Sequence, residues 1–289
     1  MRKFAILFLL VVFAGCTQQE ARPGKGGGFA KEAEMPLRVC AGSVSAEESL
    51  AKLNEKGMMV LPLSANGKCL FEYWAKGKKQ KENFPVKIWL NPPYEIYMQG
   101  DVAFDARGIM FGSNEREFWL AMKPEEVRGY WWGEWAQQSE TTGINPRTIL
   151  EAMGIIETGD LGEWTFGKED AFDVLTRSVG GRQIEKIYVY SCDSRVYKIE
   201  YFDAGGQTVV VTEPSKYREM VSGFFVPTVI RITAFRDGQT RERFRITLES
   251  MNLAVFSEKQ KARLFSRPKP DGFKNINKIV DSEVVKEEQ

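Results

Sequence analysis

The chain has 289 residues, 43% of them hydrophobic, with 40 Lys and Arg against 39 Asp and Glu. A net charge of +1 provides no concentrated basic face for phosphate groups, so we expect no nucleic-acid partner. The complete absence of histidine excludes Ser-His-Asp and Cys-His catalysis and His-ligated zinc. We therefore expect no metal and no other cofactor.

The first 16 residues combine a basic start, an unbroken apolar run from Phe4 to Phe13, and Ala14-Gly15 directly before Cys16. This pattern resembles a bacterial lipoprotein signal peptide, in which residues 1–15 are removed and the Cys16 thiol is acylated. An apolar run of about ten residues is too short to span a bilayer as a helix. The alternatives are a secretory signal with an incidental cysteine and an uncleaved membrane anchor.

The resemblance to lipoproteins implies a lipid-anchored protein of the cell envelope. Two or three acyl chains anchor a protein stably, since each buried methylene contributes about 0.8 kcal/mol. Thr17 stands where an Asp would favour inner-membrane retention, so we expect the outer membrane, facing the periplasm. The polar, glycine-rich residues 16–34 are interpreted as the lipidated cysteine and a flexible tether. Residues 35–273 then form a single domain, and the charged residues 274–289 a loosely held tail.

Three further cysteines, Cys40, Cys69 and Cys192, lack any CxxC spacing. In an oxidising compartment two of them can pair. A bond between Cys40 and Cys69 would close a loop of about 30 residues, worth at most about 3–4 kcal/mol. Three buried thiols are the alternative.

Strand patterns dominate the rest of the chain. Residues 84–90 (FPVKIWL) alternate, with Phe84, Val86, Ile88 and Leu90 on one face. Asp237-Gly238 predicts a hairpin turn between two strands that bury Ile230, Ile232 and Ala234 on one side and Phe244, Ile246 and Leu248 on the other. Strands that follow one another at short intervals indicate an antiparallel meander rather than βαβ units.

Few helices are predicted. Ser45 to Glu48 forms a capping box that opens a helix over 45–57, and Asn145-Pro146 opens a second over 146–155. A shorter third candidate runs from Pro214 to Val221. Helices this short must place their apolar faces on the sheet.

The order of these elements resembles the LolA/LolB superfamily of periplasmic lipoprotein carriers and acceptors over roughly residues 40–275. The resemblance lies in the first helix, in the hairpins VKIWLNPPYEIYMQGDV and GIMFGSNEREFWLAMKP, in the helix after NPRTILEAMGI, and in the closing stretch FFVPTVIRITAFRDGQTRERFRITLES with its later PKPDGF. It implies an α+β, mainly β fold: a strongly curved, incomplete antiparallel β-barrel with a lid of two or three short helices.

The same resemblance implies an apolar cavity that takes acyl chains of lipids or lipoproteins, and a periplasmic carrier protein as a further partner. Eight residues are candidates for the lining, with ordinary core packing as the alternative for each: Leu50, Leu53, Trp89, Phe118, Leu120, Ile149, Val229 and Phe244.

Two local features receive structural interpretations. Trp131 and Trp132 should point to opposite faces of a strand, although a place at a membrane interface or cavity mouth is the alternative for the group that also includes Trp135. The pair Asp101 and Asp105 invites a glycosidase hypothesis but lies where a hairpin turns. We expect no enzymatic activity. The sequence thus favours a lipid carrier or acceptor, with a structural or assembly lipoprotein of the same fold and a filled cavity as the alternative.

Overall fold

The computed structural model describes residues 38–75, 78–102, 105–123, 128–138, 145–236, 238–280 and 283–286. Within these residues, 15 strands form one curved, open sheet and three helices accompany it. The predicted class, mainly β with an incomplete barrel and short helices, is confirmed. The predicted signal peptide (1–15) and the predicted lipidated Cys16 and tether (16–34) lie outside the described residues.

The sheet consists of two meanders joined side by side. The first meander contains β1 (Leu63–Ala75), β2 (Lys78–Asn91), β3 (Glu95–Val102), β4 (Asp105–Ser113), β5 (Glu117–Met122) and β6 (Gly129–Glu134). The second contains β7 (Trp164–Glu169), β8 (Phe172–Val179), β9 (Arg182–Tyr190), β10 (Val196–Phe202), β11 (Thr208–Val221), β12 (Phe224–Arg236) and β13 (Gln239–Leu253). Antiparallel pairing of β1 with β13 makes them one sheet.

The predicted alternation sets the inner face of the sheet. In β2 the side chains of Phe84, Val86, Ile88 and Leu90 all enter the main core. The β12–β13 hairpin turns where it was predicted, with Arg236 paired to Gln239 and Gly238 at a φ of 69° that favours glycine. Because side chains alternate along every strand, one face of the sheet is mainly apolar.

Helix α1 (Ala46–Met58) and helix α2 (Pro146–Ala152) both lie on this inner face, as predicted, since their apolar side chains belong to the main core. Ser45 caps α1 by accepting from Glu48 N, and Asn145 caps α2 by accepting from Thr148 N. The third helix is α3 (Glu258–Leu264), which begins with a capping box at Ser257.

The helix predicted from Pro214 to Val221 is wrong, because this segment is the second half of β11. Its backbone pairs with β12 from Pro214 opposite Ile230 to Val221 opposite Phe224. Hydrogen bonds to a long neighbouring strand outweigh the weak helical preference of a short segment.

The C-terminal segment is not a loosely held tail over its described residues. Strand β14 (Ile276–Val280) pairs in parallel with β6, and β15 (Glu283–Lys286) pairs antiparallel with β14. An edge strand offers unpaired backbone groups, and a segment near the chain end satisfies those of β6. This correction extends the sheet beyond the predicted domain limit at residue 273.

The outer face carries a second, smaller apolar cluster beneath the segment before β14. Trp119, Tyr130 and Trp132 are buried there against Phe273 and Ile276. The Tyr130 hydroxyl donates to Pro268 O at 2.6 Å. Trp132 therefore lies on the outer face while its neighbour Trp131 points to the inner one, which is the arrangement that strand alternation predicts.

Candidate functional site

One continuous apolar cluster lies between the inner face and the first two helices. It crosses the boundary between the two meanders, so the helices cover a single interior rather than two. Its fully buried members include residues of α1, α2 and both meanders: Leu50, Leu53, Leu63, Ile88, Leu90, Ile96, Ile149, Leu175, Ile187 and Ile199.

The residues that precede α1 fasten this helix to the second meander. Cys40 forms a disulfide with Cys192 in the turn between β9 and β10. Ser43 N donates to the buried Asp173 carboxylate at 2.6 Å. Gly42 has a φ of 67°, and a Cβ on it would lie 2.3 Å from Asp173 Oδ1, so a larger residue does not fit. The start of α1 is thus held covalently and by a tight polar contact.

The predicted pairing of Cys40 with Cys69 is wrong. Cys69 lies in the middle of β1 with its side chain in the main core, and it is a free cysteine. Burial raises the pKa of its thiol to about 12, so it stays protonated and unreactive at neutral pH.

Helix α2 is held differently from α1. It contacts β10, β11 and β12 on one side and β4 on the other, so it bridges the two meanders. Ile149, Leu150 and Met153 enter the main core, and Pro146 starts the helix with its φ already fixed. The predicted helix over 146–155 ends earlier, at Ala152, and Gly154 follows with a φ of 88°.

Three polar residues that the sequence analysis did not single out lie beneath α2. Glu151 projects from the helix towards the sheet and is 4% exposed, while Glu185 of β9 and Tyr201 of β10 are 6% and 2% exposed. The Tyr201 hydroxyl donates to Glu151 Oε2. A usable pattern was present, because Glu185 occupies a period-two position that Ile187 and Val189 continue with apolar residues.

A small cavity lies at the seam between the two helices. Its volume is about 40 Å³, and its apolar wall includes Leu53, Val60, Met153, Val196 and Phe224. That volume holds about one water molecule, whereas ligand sites typically need about 300–1,000 Å³. This cavity is therefore too small for an acyl chain in this conformation.

Six of the eight candidate lining residues lie on the inner side of the sheet or in the helices that cover it, and two do not. Leu50, Leu53 and Ile149 are fully buried in the main core, and Leu120 and Phe244 pack against it partly buried. Phe118 is buried on the inner side of β5, against Trp135 at 4.5 Å between ring centroids.

Trp89 and Val229 do not line the interior. Trp89 lies between the core residues Ile88 and Leu90 and stacks on Tyr97, which packs on the outer cluster. Val229 precedes the core residue Ile230 and so points to the outer face. Periodicity identified both strands, but it did not reveal which face was inner.

Two cationic side chains contribute to the lining of the cavity, those of Lys56 and Arg195. Arg195 is paired with Asp193 and lies over the Tyr217 ring at 5.1 Å from its centroid. The cavity is therefore mainly apolar, with charged groups at its edge.

Comparisons with known proteins identify the fold. The chain is similar to a domain from Vibrio parahaemolyticus to which outer membrane lipoprotein sorting is ascribed, with 12% identity and a TM-score of 0.51 over 75% of this chain and 96% of that one. It is also similar to a LolA superfamily protein from Nitrosomonas europaea, with 16% identity and a TM-score of 0.48 over 75% of this chain and 97% of that one. A DUF1329 family protein from Desulfovibrio piger is similar as well, with 14% identity and a TM-score of 0.47 over 76% of this chain and 96% of that one.

No family model and no curated protein matches the sequence. At 12% sequence identity, the likeness to the Vibrio domain concerns the fold alone. The predicted LolA/LolB-like fold is confirmed.

Proposed function

We propose that the chain is a bacterial envelope lipoprotein that binds acyl chains beneath α1 and α2 and assists the delivery of lipoproteins or lipids to the outer membrane. The observation that carries this proposal is the apolar inner face, which continues across both meanders and is closed by two helices. Hiding an acyl chain from water gains about 0.8 kcal/mol per methylene, and a long apolar surface under a removable cover provides the hiding place.

Binding in such a site requires the helices to move apart. The cavity of about 40 Å³ at their seam marks the place where the packing is already incomplete. Helix α1 is fastened by the Cys40–Cys192 disulfide, so α2 is the better candidate for the moving cover. A periplasmic carrier protein would hand over or receive the ligand at this opening.

The same small cavity also favours the alternative function, an assembly or structural lipoprotein that acts by binding other proteins. In that case the interior is permanent core and takes no ligand. Neither function is enzymatic. Asp101, from the pair that invited a glycosidase hypothesis, is exposed and accepts from Arg107 N at 2.8 Å, which stabilises the β3–β4 turn.

The proposed anchor is an acylated Cys16, which holds the protein at the outer membrane facing the periplasm. No helix in the described part of the chain is long and apolar enough to cross a bilayer. Cys16→Ser is expected to abolish incorporation of labelled palmitate and to leave an unmodified precursor. Equal labelling of wild type and variant would disprove the anchor.

A reversible crosslink between the helix ends tests the proposed binding site. A Cβ on Gly57 would lie 3.9 Å from Ile155 Cα, so the two Cα atoms are within about 5.5 Å, inside the range that a disulfide spans. The double variant Gly57→Cys/Ile155→Cys, once oxidised, should fix α1 to the residues that follow α2. We expect it to lose at least about 90% of fluorescent fatty-acid binding and to regain it on mild reduction.

The single variants Gly57→Cys and Ile155→Cys are the matched controls, together with wild type given the same reductant, because Cys40–Cys192 is also reducible. Unchanged binding by the oxidised double variant would place the acyl site elsewhere. If wild type binds no fatty acid under any condition, the assembly function replaces the carrier function.

A further inference from the structure

The acidic group beneath α2 joins the helix to the second meander. Glu185 of β9 and Tyr201 of β10 are paired residues in the antiparallel ladder, so their side chains stand side by side on the inner face. Glu151 of α2 reaches down to them and accepts the Tyr201 hydroxyl. Glu185 Oε1 is buried and has no hydrogen-bond partner among the described residues.

The cations near this group are already engaged by other carboxylates. Arg147, one turn before Glu151 in α2, is paired with Glu157 at 2.8 Å. Arg177 of β8, which is paired with Glu185 in the ladder, binds Glu163 at 2.8 Å. These are the charged groups with the largest influence on both buried carboxyls, together with Glu157 and the two carboxyls themselves. The charge of an ionised Glu151 or Glu185 is therefore poorly compensated.

Strands β4, β11 and β12, which also pack on α2, add little compensation, because none of their charged groups is among those with the largest influence on Glu151 and Glu185. The buried inner-facing residues of these strands are apolar or uncharged: Phe111, Val210, Thr212, Ile230 and Ile232. Burial raises the pKa of Glu151 to about 7, although the Tyr201 hydrogen bond opposes this shift. Burial and the neighbouring Glu151 raise the pKa of Glu185 well above its ordinary value, and the pKa of Tyr201 is raised for the same reasons.

We propose that Glu151, Tyr201 and Glu185 form a proton-controlled latch, which holds α2 on the sheet while the carboxyls are protonated and releases the helix when they ionise. Two carboxylates in a dry interior repel each other, and each recovers its hydration when the helix lifts. This inference rests on the proposed function in one respect only, because the proposed function explains why α2 should open. The inference adds that the opening depends on pH. The opening itself is measured without any ligand.

The direction of the pH effect follows from the raised pKa values of the two carboxyls. Opening returns Glu151 from a pKa of about 7 towards its ordinary 4.5, so opening becomes easier as pH rises through this interval. Glu151 alone should raise the population of the open form roughly 10- to 50-fold between pH 5 and pH 7. Glu185, whose pKa is also raised, adds to this rise over the same interval and extends it to higher pH.

Hydrogen exchange of the full chain measures the latch directly. Protection factors of the amides from 149 to 153, corrected for intrinsic exchange, should fall by at least that factor between pH 5 and pH 7, while those of α1 stay constant. Glu151→Gln keeps an acceptor for Tyr201 but never ionises, so it should reduce the slope of the pH profile. Glu185→Gln should reduce the slope as well. Glu249→Gln, at an exposed carboxylate of β13 that pairs with Lys68, is the matched control and should leave the slope unchanged.

A pH-independent protection of α2 in wild type, or an unchanged profile in Glu151→Gln, would overturn the latch. Fatty-acid titrations at pH 5 and pH 7 separate this inference from the proposed function. If α2 opens with pH and no acyl chain binds at either pH, the latch stands and the carrier function fails. If binding occurs equally at both values with flat protection, the function stands and the latch fails.

Discussion

Replacing Cys192 with Ser is expected to lower the free energy of unfolding by about 3–5 kcal/mol. The disulfide with Cys40 joins residues 152 positions apart, and a crosslink over so long a loop removes much of the entropy of the unfolded chain. Its loss also frees the residues that fasten α1. Urea unfolding at fixed pH, followed by tryptophan fluorescence, measures the change.

The double variant Cys40→Ser/Cys192→Ser is the decisive control. Because the two sulfurs act as one bond, the double variant should be no less stable than either single one. A thiol titration of wild type gives a second check. Among the described cysteines, only Cys69 should react when the protein is unfolded without reduction. Additive losses of stability would contradict the pairing.

The two helices that close the interior are thus attached in different ways. Helix α1 is secured by a covalent bond and by the contact of Ser43 with Asp173. Helix α2 has no disulfide and is held by apolar packing, by the Glu151–Tyr201 hydrogen bond and by Arg147, which pairs with Glu157 and lies over the Trp135 ring. Low-stability elements are the ones that open in binding proteins. Because α1 stays fixed and α2 is held only while its carboxyls are protonated, the cover can open without unfolding the sheet.

Much of the architecture was predictable because local chemistry and tertiary structure agree. Ser45 and Asn145 cap the helices they were expected to cap, and the hairpin at Gly238 turns where its glycine allows a positive φ. Alternation in β2 gave the buried side chains directly. These features depend on residues close together in sequence, which is the range that pattern analysis covers.

The errors concern information that is not local. Nothing in the spacing of the cysteines brings Cys40 to Cys192, since only the second meander places the β9–β10 turn beside the start of α1. Trp89 was predicted to line the cavity although it alternates with Ile88 and Leu90, and it stacks instead on Tyr97, which packs on the outer cluster. A large apolar side chain is also buried on the outer face here, so hydrophobicity alone does not show that a residue lies inside.

The buried acidic group illustrates a different limit. Glu151 follows Leu150 and precedes Ala152, both buried, in a helix so short that nearly every side chain is covered. Because glutamate side chains are rarely buried, a glutamate in a helix of seven residues is expected at an exposed position. Only the approach of Tyr201 from β10 shows that this carboxyl is part of the interior.

Charged substitutions in α1 do not separate the two candidate functions. Leu53 is 2% exposed and lies in the main core, so a buried charge there should unfold the protein whichever function is correct. A truncation is more informative, because Leu53 lines the cavity of about 40 Å³ at the seam of the helices and Leu50 does not. The two leucines belong to one helix and are equally buried, which makes them a matched pair.

We expect Leu53→Ala and Leu50→Ala each to lower the free energy of unfolding by about 2–5 kcal/mol, the usual loss for a buried leucine. Only Leu53→Ala enlarges the existing cavity, so only this variant should bind a fluorescent fatty acid more tightly, by roughly threefold or more, since each additional buried methylene contributes about 0.8 kcal/mol. Thermal unfolding and fatty-acid titration on the same samples measure both effects. Equal loss of stability, with no fatty-acid binding by wild type or by either variant, would identify the interior as permanent core and favour the assembly function.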